Sequence, residues 1–148
     1  MNFFFTEYKD KRLIHKIKGY GVHGNVLNWV SDFLTERTQY VSLDGEESEP
    51  VAVTSGVPQG SVLGPTLFIY YINDLPDVVN TLLKFFADDT KSYSKLKSIA
   101  DKYLLQTSCD NLVKWSVHWL LGFNCNKCNV LHLGKNNPKY DYTIKDFK

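Results

Sequence analysis

The hydrophobic pattern of this chain switches several times between a helical period and a strand period. From Lys11 to Tyr20, Leu13, Ile14 and Ile17 recur at helical spacing, and Gly19 and Gly21 punctuate the end. A short helix and a turn are predicted there. Asn25 stands where a cap belongs before a second helix, Val26 to Leu34, whose Leu27, Val30 and Leu34 form one apolar face and whose Trp29 and Phe33 add bulk to the core. Thr38 to Leu43 alternates polar and apolar, Asp44-Gly45 is a hairpin turn signal, and Pro50 to Thr54 alternates again. The prediction is a β-hairpin.

Ser55 to Pro65 reads Ser-Gly-Val-Pro-Gln-Gly-Ser-Val-Leu-Gly-Pro. Glycine lets backbone approach a ligand or adopt positive φ, and proline stiffens the path, so this reads as a shaped loop. It leads into Leu67 to Ile72, a helix apolar on every side and therefore expected to be buried, with Pro65 tolerated in its first turn. Asn73 to Pro76 stops that helix. An apolar run, Leu82, Leu83, Phe85, Phe86 and Ala87, then meets Asp88 and Asp89, and a β-prone run, Lys91 to Ser94, follows. This predicts a second hairpin with two acids at its tip. From Ile99 to Leu121, residues Leu105, Cys109, Leu112, Trp115 and Trp119 recur every three or four positions, which predicts one long amphipathic helix packed under a sheet, with the tryptophans as core. Gly122 is expected to end it, Asn129 to Leu133 to form a strand, and a polar tail to begin at Gly134.

Composition sharpens this outline. With 148 residues, 43% hydrophobic and 14% aromatic, the chain can bury a real core, which argues against disorder. The formal net charge is +1, so no global basic field announces nucleic-acid binding. There is no apolar run of membrane-spanning length and no signal-peptide pattern at Met1 to Glu7, so the expectation is an intracellular protein, nuclear or cytoplasmic, with no membrane partner. Three cysteines, an odd number, argue against a disulfide framework.

The paired carboxylates are the sharpest chemical signal. Adjacent like charges repel, and holding them together is costly unless a cation or strong donors offset the repulsion. Mg²⁺ takes oxygen ligands, usually one or two carboxylates plus substrate phosphates, so a rigid Asp-Asp tip suits phosphoryl transfer on a nucleotide. On the pair alone, ordinary turn chemistry is the favoured reading, because Asp bonds its own backbone in turns. A competing signal is Cys125-Asn126-Lys127-Cys128 with His132 after it and His118 before it, a candidate zinc set for a small binding module. Cys128 and His132 would share a strand, which does not suit a zinc knuckle.

Taken together, Ser55-Gly-Val-Pro-Gln-Gly-Ser-Val-Leu-Gly-Pro65, Tyr71-Ile-Asn-Asp-Leu-Pro76 and Phe86-Ala-Asp-Asp-Thr90 resemble the reverse transcriptases of jockey-like non-LTR retrotransposons. The resemblance extends from about Lys11 through Gly134. It implies an α/β (α+β) fold, a polymerase palm with an antiparallel sheet and packed helices, in which residues 1–134 are a partial reverse transcriptase domain with the start of the thumb and 135–148 are a polar tail. It implies that Asp88 and Asp89 are catalytic and bind metal, Mg²⁺ with Mn²⁺ as a substitute. By the same resemblance, Pro58, Gln59 and Gly60 lie against the templating base and incoming nucleotide, Phe86 lies near the primer end, and Lys127 matches a lysine that donates a proton to departing pyrophosphate, a plain solvated lysine being the equal alternative. The implied partners are an RNA template, a DNA primer and deoxynucleoside triphosphates.

One departure from the family pattern stands out. The family carries another aspartate in a pattern like Asp-Phe-Ser-Lys-Ala-Phe-Asp ahead of the segment matching Lys11-Arg12-Leu13, and counting back places that aspartate before Met1. Phe5 matches the family phenylalanine, Thr6 stands at its second aspartate, and Glu7 and Asp10 are off register. The expectation is therefore an N-terminally shortened polymerase, lacking the fingers and first catalytic strand, with little or no activity of its own. The alternatives are a non-enzymatic retroelement remnant and, less favoured, the zinc module.

Overall fold

A computed structural model of the chain describes residues 3–5, 9–54, 56–58 and 60–144. Thr6, Glu7, Ser55 and Gln59 lie outside the described residues. Helices and short antiparallel strand pairs give an α+β fold with two compact units, residues 5–72 and residues 1–4 with 73–148. No helix is long and apolar enough to cross a membrane among the described residues.

The chain opens with a strand, β1 (Phe3–Phe5), which the hydrophobic pattern did not predict. In the unit of residues 5–72, helix α1 (Lys9–Gly19) packs on α2 (Gly24–Leu34) and on a later helix, Leu63–Ile72. The predicted apolar positions hold: Leu13, Ile17, Val30 and Leu34 are buried. Asn25 does not cap α2. Gly24 takes a left-handed φ of 62° and the helix starts there, two residues earlier, with His23 extended at the cap position and Asn25 inside the first turn. Trp29 lies 55% exposed and stacks on Phe33 at 5.9 Å between ring centroids, so it packs locally instead of entering the core.

The first hairpin forms in two pieces. Thr38–Gln39 (β2) pairs with Val51–Ala52 (β5), and Ser42–Leu43 (β3) pairs with Glu46–Glu47 (β4). Asp44 and Gly45 both have positive φ, 53° and 88°, the signature of a two-residue hairpin turn. Between the pieces, Ser48 Oγ accepts a bond from Val41 N at 3.0 Å.

Helix α3 (Leu63–Ile72) departs from expectation in its burial. Gly64, Leu67, Tyr71 and Ile72 are buried, but Ile69 is 60% exposed and Pro65, Thr66 and Tyr70 are exposed too. An all-apolar sequence does not bury a helix on every side. Within this unit α1 packs on α3, and Lys16, itself buried, donates from Nζ to Tyr71 O at 2.6 Å. That bond satisfies a carbonyl in the last helical turn, where a cation is also favoured by the helix dipole.

In the other unit, a 3₁₀ turn (Leu75–Val78) follows Asn73, where the helix was predicted to stop. Strands β6 (Leu82–Phe86) and β7 (Asp89–Tyr93) form the second hairpin, in the predicted place. Helix α4 (Ile99–Trp119) packs on the 3₁₀ turn and on β8 (Leu121–Phe123), and β8 pairs with β1, whose Phe3 and Phe4 fall in this unit. The buried face of α4 is Ser108, Cys109, Leu112, Trp115 and Ser116, close to the predicted stripe. Its start is held by Asp101, whose Oδ2 accepts bonds from Lys97 N at 2.8 Å and Ser98 N at 2.7 Å. These donors lower the Asp101 carboxyl below its ordinary value.

Two further corrections concern the end of the chain. Leu120, with φ 55°, ends α4 ahead of Gly122, because Leu121 must leave the helix to enter β8, where it is fully buried. Residues 129–133 are irregular, with Val130, Leu131 and Leu133 exposed. A strand needs a partner, and among the described residues the four strand pairs use other segments. The tail folds back on α4: Thr143 N donates to Gln106 Oε1 at 3.0 Å, and Lys102 Nζ sits 4.9 Å from the Tyr140 ring centroid.

Candidate active site

The β6–β7 hairpin carries the acids. Its register pairs Leu82 with Tyr93, Leu83 with Ser92, Lys84 with Lys91, Phe85 with Thr90 and Phe86 with Asp89. Ala87 and Asp88 are therefore the two turn residues, and Asp89 is the first residue of the returning strand. Both acids are exposed, as is Phe86 across from Asp89. Ala87 has φ 50°, the left-handed region that a non-glycine residue enters at a cost of about 1–2 kcal/mol. That turn presents two hard oxygen donors side by side to solvent, a donor set that fits a hard divalent cation.

The root of the hairpin is fixed to α4. Ser108, Asn111 and Trp115 recur at steps of three and four and so share one helix face. Ser108 Oγ accepts from Asn80 N at 3.3 Å, Asn111 Nδ2 donates to Val78 O at 3.0 Å, and Trp115 Nε1 donates to Asp74 Oδ1 at 3.1 Å. Thr81 and Ser92 hydroxyls meet at 2.8 Å across the first strand and the second. The pair of acids thus stands on an anchored arm. The sequence pattern marked Trp115 as core, which it is, but gave no sign that its indole N–H reaches Asp74.

The glycine-rich loop belongs to the unit of residues 5–72. Ser61 Oγ donates to Pro58 O at 2.7 Å and accepts from Gly64 N at 3.0 Å. A Cβ on Gly64 would stand 3.0 Å from Pro58 O and 3.1 Å from Ser61 Oγ, so any larger residue would press on the loop backbone. Gly60 has φ 77°, and Arg37 holds the loop by donating from Nη2 to Gly56 O and from Nε to Leu34 O at 2.9 Å. The shaped loop predicted from glycine and proline is present, and Arg37 is its unpredicted anchor. Pro58 and Gly60 lie in this loop, whereas Gln59 lies outside the described residues.

Lys127 sits on a 3₁₀ turn, Cys125–Lys127, and is exposed. The structure thus brings Phe86, Asp88 and Asp89 together on one hairpin, and places Lys127 on a separate turn of the same unit. The zinc arrangement does not form. Cys125 Sγ donates to Phe123 O at 3.7 Å and Cys128 Sγ to Asn124 O at 3.3 Å, while the His118 ring meets Trp119 edge-on at 5.0 Å. Among the described residues no three His, Cys, Asp or Glu side chains gather as a metal-ligand set.

Comparison with known proteins follows the same direction. The family described as "Reverse transcriptase (RNA-dependent DNA polymerase)" matches residues 4–144. The chain is 41% identical over 108 residues to the RNA-directed DNA polymerase from mobile element jockey of Drosophila melanogaster, and 32% identical over 108 residues to that of Drosophila funebris; each alignment covers 67% of this chain. It is 33% identical over 107 residues, 66% of its length, to the probable RNA-directed DNA polymerase from transposon BS of Drosophila melanogaster. The matched stretch spans 12% of each of these relatives. No solved structure matches.

Proposed function

The chain belongs to the reverse transcriptase family, and from that premise we propose that it is palm sequence of an RNA-directed DNA polymerase of a mobile element, which extends a DNA primer on an RNA template from deoxynucleoside triphosphates. The observation that carries this reading is the anchored hairpin with Asp88 in its turn and Asp89 beside it. In this reading the two carboxylates hold divalent metal, Mg²⁺ or Mn²⁺. Bound there, the metal would lower the pKa of the primer 3′-hydroxyl and offset the charge of leaving pyrophosphate.

The protein side chains position. Phe86 offers a solvent-facing ring beside Asp89 for the primer terminus to pack on. The loop that holds Pro58 and Gly60, tightened through Ser61 and Gly64, lets a base pair approach backbone at Gly60, which has no side chain. Lys127 is the donor of a proton to pyrophosphate.

Two carboxylates are few for a pair of Mg²⁺ ions, and no third acid joins them among the described residues. Our reading is that the 148-residue chain alone turns over very slowly. Primer extension with labelled nucleotide on an RNA–DNA primer–template tests this. The expected result is incorporation close to background that requires divalent metal and disappears in Asp88→Asn. Incorporation that survives Asp88→Asn, or that is fast, would contradict it.

A further inference from the structure

The β6–β7 hairpin has two unlike faces. Cross-strand partners point the same way and neighbours alternate, so Leu83, Phe85, Thr90 and Ser92 share one face, and Leu82, Lys84, Phe86, Asp89, Lys91 and Tyr93 share the other. Thr90 on the first face is only 4% exposed. On the second face all six are exposed.

Lys84 and Lys91 are directly opposite one another on that open face. Like charges in this position oppose pairing of the strands, so folding alone gives no reason for them. Lys84 Nζ also lies 6.0 Å from the Tyr93 ring centroid, which keeps the ammonium over the face. The two cations are flanked by Phe86 toward the tip and by Leu82 and Tyr93 toward the root, all open to solvent. An anionic chain that also carries flat apolar groups matches both features at once, with phosphate at the ammonium pair and sugar or base against the rings.

We propose that Lys84 and Lys91 form a backbone-phosphate clamp for the primer strand, which crosses the open face of the hairpin toward the acidic tip. The direction of the strand rests on the function proposed above. The lysine row is two rungs from the Phe86–Asp89 row, about 7 Å along the strand. At ~3.4 Å per nucleotide along a helix axis, the clamped phosphate lies about two nucleotides back from the 3′ end.

Fluorescence anisotropy with a labelled DNA primer annealed to an RNA template, in EDTA, tests the clamp over a series of salt concentrations. Lys84→Gln and Lys91→Gln should each weaken binding about 3–10-fold and lower the slope of log affinity against log salt by about 1; the double variant should lower it by about 2. Lys139→Gln, an exposed lysine off the hairpin, should change the slope less. Thermal melts should show the double variant at least as stable as the parent. A primer with one neutral methylphosphonate linkage two nucleotides from its 3′ end should weaken the parent chain but not the double variant. Unchanged affinity and slope in the double variant, no binding by the parent chain at low salt, or equal losses from the neutral linkage in both proteins would overturn the proposal. Because EDTA removes metal, a tip that fails to bind metal would defeat the function proposed above and leave this result standing.

Discussion

Ala87 shows how much of the site depends on a single backbone angle. Its φ of 50° brings the chain round in two residues and sets Asp88 in the turn. Glycine would adopt this angle without strain, and its greater freedom in the unfolded chain offsets part of that gain. We therefore expect Ala87→Gly to leave the melting temperature unchanged or slightly higher, while Ala87→Val, β-branched at positive φ, destabilises by about 1–3 kcal/mol. Thermal denaturation of the two variants checks this, and a stability loss in Ala87→Gly as large as in Ala87→Val would refute the strain. At this scale the sequence was informative about residue type only. Asp-Asp after an apolar run announced a tip, but nothing in Phe-Ala-Asp-Asp said that Ala87 would carry the strained angle, and Arg37 and Ser61 looked like ordinary polar residues until their hydrogen bonds to Gly56, Pro58 and Gly64 were seen.

Among the elements, α4 holds the segment that leads into the hairpin, through Asp74, Val78 and Asn80. Periodicity placed α4 within two residues at its end and identified Cys109, Leu112 and Trp115 as its inner stripe, because side-chain spacing on a helix is a local property. It could not show what the stripe holds. Trp115→Phe keeps an aromatic ring in the core but removes the N–H donated to Asp74 together with the volume of the second ring. A loss of about 1–3 kcal/mol in urea unfolding is expected, since Asp74 loses a buried donor. A loss near zero would mean that this bond does not fix the hairpin root. The elements that were misread depend on neighbours. Residues 129–133 alternate like a strand but pair with no strand among the described residues, and α3 is apolar over most of its length yet faces solvent at Ile69 and Tyr70. Local sequence sets propensity, and burial is decided by what packs alongside.

For the molecule as a whole, the three thiols report on folding. Cys109 is buried in α4, and burial, with a smaller contribution from Asp110, pushes its thiol up to about 11 from 9.0. Cys125 and Cys128 are half-buried. Native protein should react with a maleimide at Cys125 and Cys128, and Cys109 should react only along the unfolding transition. Mass spectrometry of labelled protein across a urea series checks this; labelling of Cys109 in native buffer at the rate of the other two would contradict its burial. The sign of the pH effect follows. The neutral thiol is favoured in the folded chain, so this contribution to stability is fully present below pH 9.0 and is lost as pH rises from 9.0 through about 11. Motif order and spacing identified the family before the fold was known, because the loop, helix and Asp-Asp box are separated by distances that composition alone does not produce. The weak net charge concealed the basic pair, since Lys84 and Lys91 meet only through strand register.

The central claim is that Asp88 and Asp89 hold a divalent metal at the hairpin tip. Paramagnetic broadening by Mn²⁺ in an amide NMR spectrum tests it most directly, because the ion bleaches the residues nearest to it. We expect substoichiometric Mn²⁺ to remove the amide signals of Phe86 to Lys91 first, and Asp88→Asn to abolish that selectivity. Broadening spread over the exposed acids of the chain, or unchanged in Asp88→Asn, would contradict the account.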